Sequence, residues 1–352
     1  MAASTTQHAH FHRPTLTREK LAFGWPHQVA AGLLVVIGAA FVAVTLAANL
    51  FNVGPAFDRL TNDFRPIMTQ KAIQTDRQDI ASLQAASTEI QNKMMPALAQ
   101  QLGMTPAQFS TMMTSQYPDV SKGLAAVPQI TPSFSSLVTT LDEQRPYFKA
   151  ADAIPTSSVP ATSVPWSLFA VGLLTAGLGV WVWFRPRGSA IVATVVGAAL
   201  IAVPLALNMP HKASYADTMN DNLKPVYTPQ LITQANSSLA TLSAMGTEMQ
   251  QKMLPGLATQ LKMSPEQLNT FMTQNFPDTT AALATLPASL GRFQHLVQTF
   301  DGRLSDYNDT LEPVSFVPIV QFMIGGGVAL FLLGGAGVLI TRRGAAQRAL
   351  HA

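Results

Sequence analysis

Cysteine is absent from this chain of 352 residues. That excludes a disulfide scaffold, a thiol nucleophile, a Cys-ligated zinc site and an iron–sulfur cluster. Charge is scarce as well: Asp, Glu, Lys and Arg make up 12% of the chain, against roughly 25% in an ordinary soluble protein. The net charge of +3 is too small and too scattered for a nucleic-acid partner. No stretch alternates polar and apolar residues with period two, so no sheet is expected. Metal-ligand spacings, a nucleophile elbow and a phosphate loop are all missing. An enzyme is therefore the least expected class, and no cofactor is implied.

What is present is apolar. Hydrophobic residues make up 48%, and four stretches reach the roughly 20 residues that a membrane-crossing helix needs. They are residues 28–52, 166–184, 189–208 and 316–340, and none contains Asp, Glu, Lys, Arg or His. The expectation is an all-α integral membrane protein with four spans. A cleaved signal peptide is the alternative for the first span, but its apolar stretch exceeds the usual signal core.

Charge placement orients these spans. Arg13, Arg18 and Lys20 precede the first, Arg185 and Arg187 fill the 185–188 turn, and Arg342, Arg343 and Arg348 follow the fourth. These segments carry +7, whereas the loops 53–165 and 209–315 carry −1 and −3. By the positive-inside rule the tails 1–27 and 341–352 and the short turn are cytoplasmic, and both long loops are outside. Trp25, Trp166, Trp181 and Trp183 stand at span ends, as an interfacial aromatic belt requires. The expected location is the inner membrane of a bacterium, given the Ala-rich, Lys-poor composition. The sequons at Asn236 and Asn308 are discounted on the same ground.

The two long loops read as copies. TEIQNKMMPALAQQLGMTPAQF at Thr88 aligns with TEMQQKMLPGLATQLKMSPEQL at Thr247. At a constant offset of 159, about 32 of 86 positions from Asp63 to Phe148 are identical, without a gap. The repeating unit is span, outer domain, span, with the insert Pro155–Pro165 leading into span two as an extended linker. Each unit enters and leaves on one side, so the copies are parallel, related by a pseudo-twofold axis along the membrane normal. Inverted-repeat carriers differ in this respect.

Each outer domain reads as helical. Ile73, Ile80, Leu83, Ile90, Met94 and Ala97, matched by Ile232, Leu239, Leu242, Met249, Met253 and Gly256, have heptad spacing and predict a long coiled-coil-like helix. Pro96 and Pro255 should kink it or end it. Thr105-Pro106 with Gln108, and Ser264-Pro265 with Gln267, predict capping boxes with Pro at the first helical position. Asp119 and Asp278 are expected to cap short helices that Pro128 and Pro287 then end. A last helix returns to the membrane.

Candidate functional residues carry bland readings beside the sharp ones. His8, His10 and His12 lie in a polar tail with nothing to fix a metal geometry. Glu89 with Lys93, and Glu248 with Lys252, are i,i+4 pairs that read as a solvated helix face, or else as an inter-repeat contact or binding ridge. Asp119, Asp142, Asp278 and Asp301 recur but lack a second titratable group at fixed spacing, which speaks against acid–base catalysis. Met94, Met95, Met112, Met113, Met253 and Met272, with Met104, Met245, Met249 and Met263, are either core filler or an adaptable interaction surface for lipid or protein. Ala39, Ala43 and Ala47, Gly172 and Ala176, and Ala193 and Gly197 have spacings that permit close helix contact. Gln321 is expected to bond a neighbouring helix.

Two functions remain open. One is a non-catalytic scaffold or accessory subunit of a cell-envelope assembly for export or lipid transport, whose paired outer domains dock an envelope protein or a second copy of the chain. The other is a lipid-binding or lipid-passing protein, or an uncoupled pore formed by oligomerisation. An ion-coupled carrier is disfavoured, because the spans hold no ionisable residue. Membrane lipids are expected partners in either case.

Overall fold

The computed structural model describes residues 25–156, 159–184 and 189–350, and among them every regular element is a helix. The first half holds α1 (Trp25–Ala47), α2 (Leu50–Phe64), α3 (Gln70–Glu89), α4 (Met95–Gln101), α5 (Pro106–Gln116), α6 (Pro118–Ala151) and α7 (Ser163–Phe184). The second holds α8 (Ser189–Ala206), α9 (Met209–Leu223), α10 (Pro229–Glu248), α11 (Leu254–Gln260), α12 (Pro265–Asn275), α13 (Pro277–Asp306) and α14 (Phe316–Leu350). The chain divides into two compact units, one of residues up to 47, 167–204 and from 322 on, the other of residues 48–166 and 205–321. The histidines at 8, 10 and 12 and the basic residues at 13, 18, 20, 185 and 187 lie outside the described residues, as do the side chains of those at 342, 343 and 348.

In the first unit, α7 and α14 are long and apolar enough to cross a bilayer. The α1–α2 and α8–α9 pairs meet the same test only together, with bends of 52° and 56°. Two to four apolar helices therefore have the length and composition of spans, which fits a membrane-embedded protein. The bends centre on Asn49 and Asn208, at φ 52° and 54°. Asn is one of the few residues that tolerates this left-handed conformation. The apolar helix expected to run to residue 52 thus ends at Ala47.

Backbone contact joins the apolar helices. A Cβ on Gly38 would collide with the Ala176 nitrogen and lie 2.6 Å from the Gly172 oxygen. On Gly197 it would collide with the Phe331 nitrogen and lie 2.7 Å from the Gly327 oxygen. Gly179 against Ala31, and Gly334 against Ala190, repeat the pattern. Ala39, Ala43 and Ala47, which also have the spacing for close contact, face outward instead.

The second unit is a helical bundle. Both α3 and α10 pack against both α6 and α13, while α2 packs against α13 and α9 against α6. Ile73, Ile80, Ile90, Ile232, Leu239 and Leu242 are buried, as the heptad stripe predicts. At Pro96 and Pro255 the helices do not stop. The hydrogen-bond ladder widens into π-helical turns at Ile90–Met94 and Met249–Met253, then resumes as α4 and α11. A π turn accommodates a proline that would otherwise collide with the carbonyl four residues back. The extra residue moves the buried stripe from the expected Ala97 and Gly256 to Leu98-Ala99 and Leu257-Ala258.

Pro128 and Pro287 do not end helices, contrary to expectation. α6 runs through Pro128, Pro132 and Pro146, and α13 through Pro287. Long buried faces hold these helices together where single backbone bonds are lost.

Candidate functional site

The capping boxes form as the spacing predicts. Thr105 Oγ1 accepts from the Gln108 amide while Gln108 Oε1 accepts from the Thr105 amide, and Ser264 with Gln267 repeats this. One helix later local chemistry fails. α6 and α13 begin at Tyr117 and Phe276, whose side chains offer no cap. Their first-turn amides point into the bundle and need an acceptor.

That acceptor comes from the other long segment. Glu248 Oε2 accepts from the amides of Asp119 (2.6 Å) and Val120 (3.0 Å). Glu89 Oε2 accepts from the amide (2.8 Å) and hydroxyl (2.9 Å) of Thr279. The two glutamates align with each other when one loop sequence is laid on the other, and each is the last α-helical residue before a π turn. Their side chains are 2% and 3% exposed. Glu89 and Glu248 thus make a buried inter-segment contact, and the solvated-face reading fails for the carboxylates. Lys93 and Lys252, in the π turns, remain 66% exposed and reach back to 3.7 and 3.3 Å from them. Asp119 and Asp278 are not caps; each occupies the first turn of the helix it was expected to cap.

Each carboxylate meets the positive end of a helix, where negative charge is favourable. Burial pushes the Glu248 carboxyl up. Bonds from the Val120 amide, Lys252 and the Asp119 amide outweigh that and hold it below its ordinary value. Burial, followed by the neighbouring Glu248 charge, pushes the Tyr117 phenol up.

The methionines lie largely in the core. Met94 and Met253 are 1% exposed, and Met112, Met113 and Met272 are also buried; Met95 is intermediate. The bundle holds two apolar cavities of about 30 Å³ each, the second bordered by the capped Thr279. One is lined in part by Ile80, Leu239 and Phe293, the other by Ile90, Met249 and Leu286. Such a volume admits a water molecule or two, whereas drug-sized ligands occupy roughly 300–1,000 Å³. On the outside, an open depression of about 490 Å³ is lined by Asp119, Ser243, Thr247, Glu248, Gln251 and Lys252. Asp142 pairs with Arg77 at 3.0 Å and is committed to structure. Asp301 and Gln321 are exposed. No group of three or more potential metal ligands occurs among the described residues.

Two further carboxylates escaped the sequence reading. Asp58 accepts from the amides of Ala161 (2.8 Å) and Thr162 (3.0 Å), at the entry to α7. Asp217 accepts from the amides of Phe316 (2.7 Å) and Val317 (3.0 Å), at the start of α14. These two also fall on each other at the offset that aligns the loops. Their recurrence was the available signal, masked because the segments around them are otherwise poorly matched.

Ion pairs complete the bundle. Arg59 grips Asp306 through two bonds of 3.0 and 2.6 Å, Arg303 Nε donates to Asp63 at 2.6 Å, and Arg292 Nε donates to Asp79 at 2.8 Å. The Arg59 bond, set against partial burial, holds the Asp306 carboxyl below its ordinary value. Asp76, beside this ladder and 8% exposed, has its carboxyl pushed up to about 6, by burial first and then by the Asp79 charge.

Comparison of the chain with known protein families, curated proteins and solved structures gave no match. The functional reading therefore rests on the geometry alone.

Proposed function

We propose that the protein is a four-span, tandem-duplicated membrane scaffold. It would be a non-catalytic accessory subunit of a cell-envelope assembly, with both termini cytoplasmic and its paired helical outer segments available to a partner. The observation that carries this reading is the exchange of buried glutamate caps between segments, beside two apolar cavities of about 30 Å³ each. Such a bundle suits a rigid stalk. A lipid-passing domain needs an apolar groove open along its length, and these cavities are far below the volume of an acyl chain. Recurrence of elements at one constant offset, down to the left-handed Asn49 and Asn208 and the π turns, supports the duplication.

Docking would use polar surface. Among the described residues of the second unit, only Val159, Trp166 and Leu205 are large hydrophobic side chains with substantial exposure. The open depression beside Glu248 and Lys252, lined also by Asp119, Ser243, Thr247 and Gln251, is a candidate for such a contact. The test is purification from the native host in mild detergent, with mass spectrometry of what accompanies the protein. A stoichiometric envelope protein supports the scaffold. Stoichiometric lipid without a protein overturns it in favour of lipid handling.

A further inference from the structure

The glutamate caps hold the outer segments together, but their amide bonds carry no information about which segment is held. Each Glu binds first-turn amides, and both segments supply a Glu and an uncapped helix start. Two like segments from different chains would satisfy the same amide bonds; only the Thr279 hydroxyl bond to Glu89 has no equivalent, since Val120 is its counterpart. Chains confined to one bilayer meet at high effective concentration, so a device that selects the correct pairing is needed.

We infer that the arginine–aspartate ladder on one flank of the bundle is a pairing code, which admits the opposite segment and refuses a like segment from a second molecule. The inference rests on the duplication proposed above. Phe134 and Phe293 are counterparts in the two copies and their rings lie 5.0 Å from each other, which marks the pseudo-twofold axis. On one flank stand Arg59–Asp306, Asp63–Arg303 and Asp79–Arg292. The counterparts of these positions in the other copy are Thr218 and Tyr147, Asn222 and Gln144, and Ser238 and Ser133. The second flank is thus neutral at all six counterpart positions, and Asn222 donates to Gln144 at 3.2 Å where Arg303 meets Asp63 on the first.

Pairing two first segments would set Asp63 opposite Gln144, Asp79 opposite Ser133 and Arg59 opposite Tyr147, on both flanks. Pairing two second segments would set Arg303 opposite Asn222 and Arg292 opposite Ser238. Every ladder charge loses its partner across the bundle in a like pairing, and Arg303 and Asp306 keep only each other, at 3.1 Å on one helix. The Asp79 side chain, 11% exposed, has little water to replace one. Specificity of this kind comes from penalising the wrong partner as much as from rewarding the right one.

The test uses the full-length chain in membranes, where the absence of native Cys gives a clean background. A like pairing of first segments places residue 134 of one chain against residue 134 of another. In a Phe134→Cys chain, a short bifunctional thiol reagent should therefore give only traces of cross-linked dimer. In a background of Asp63→Asn, Asp79→Ser, Arg292→Ser and Arg303→Gln, each residue taking its counterpart's identity, dimer should rise about tenfold, since the charges that stand unpartnered in the like pairing are removed at two of the three pairs. Should that background misfold, Asp63→Arg should raise the dimer and Asp63→Arg with Arg303→Asp should return it to the trace. Dimer in the native background at the level of the neutralised one overturns the inference, as does a trace in every background. The Phe134→Cys/Phe293→Cys chain should cross-link within itself. If it does not, the paired-segment architecture is wrong, a failure distinct from that of the code.

Discussion

The Glu248 carboxylate caps the first turn of α6 at the Asp119 amide, although the two residues are far apart in sequence. A helix start that is usually closed by its own neighbour is here closed by a different segment, and Glu89 returns the arrangement at Thr279. The consequence is cooperativity: neither return helix is fully bonded until both segments have met. Replacing Glu248 by Ala leaves two first-turn amides unpaired in the bundle. The cost should be about 1–3 kcal/mol, read as a lower midpoint in thermal unfolding of the detergent-solubilised chain. Glu248→Gln keeps an acceptor and should lose less. Equal losses for the two variants would argue against capping.

The same carboxylate sets an acid limit. Its folded value lies below its ordinary one, so it contributes stability above about pH 4.3, the ordinary carboxylate value. That contribution is lost as the pH falls through the lower folded value. The unfolding midpoint should fall in that acid range for the native chain and fall less steeply for Glu248→Gln.

Asp76 works in the opposite direction. Its carboxyl is raised to about 6, so folding favours the protonated form. Its contribution is greatest in acid and declines as the pH rises from about 4 through 6. Asp76→Asn should flatten this part of the pH–stability curve and raise the midpoint at pH 7. An unchanged slope between pH 4 and 7 would remove Asp76 from the account.

The Gly38 contact should tolerate no side chain, because the atoms a Cβ would meet are backbone. Gly38→Ala should cost about 1–3 kcal/mol, typical of overpacking, in denaturation of the full chain. Gly177→Ala, with nothing within 4 Å of its Cβ, is the control and should be nearly neutral.

Asp58 and Asp217 should behave as helix caps. Asp217→Ala should cost about 0.5–2 kcal/mol, and hydrogen exchange should rise first at Phe316 and Val317. For orientation, Gln116 and Gln274 are exposed. Cys placed at either should react with an impermeant thiol reagent in intact cells; protection until lysis would reverse the proposed orientation.

Much of this was legible in the chain itself. Apolar runs without charge marked the membrane-type helices, because length and transfer energy are local properties. The capping boxes at Thr105 and Ser264 were legible because all their atoms lie within four residues. The heptad stripe predicted the buried Ile73, Ile80, Ile232 and Leu239 for the same reason. Pro128 and Pro287 were misread because a proline's local cost says nothing of the long packed face that outweighs it.

Tertiary structure alone decided how the segments meet. Glu89 and Glu248 look like members of solvated ion pairs at i,i+4, and Tyr117 and Phe276 look like ordinary aromatics. Only the approach of one segment to the other turns the first pair into caps for the helices that the second pair begin. Likewise, six residues between Arg59 and Asp306 become a ladder only when α2 and α3 lie beside α13. Composition and period determine which helices form and which faces are apolar, since those depend on neighbours along the chain. Partner choice among buried charges depends on neighbours in space.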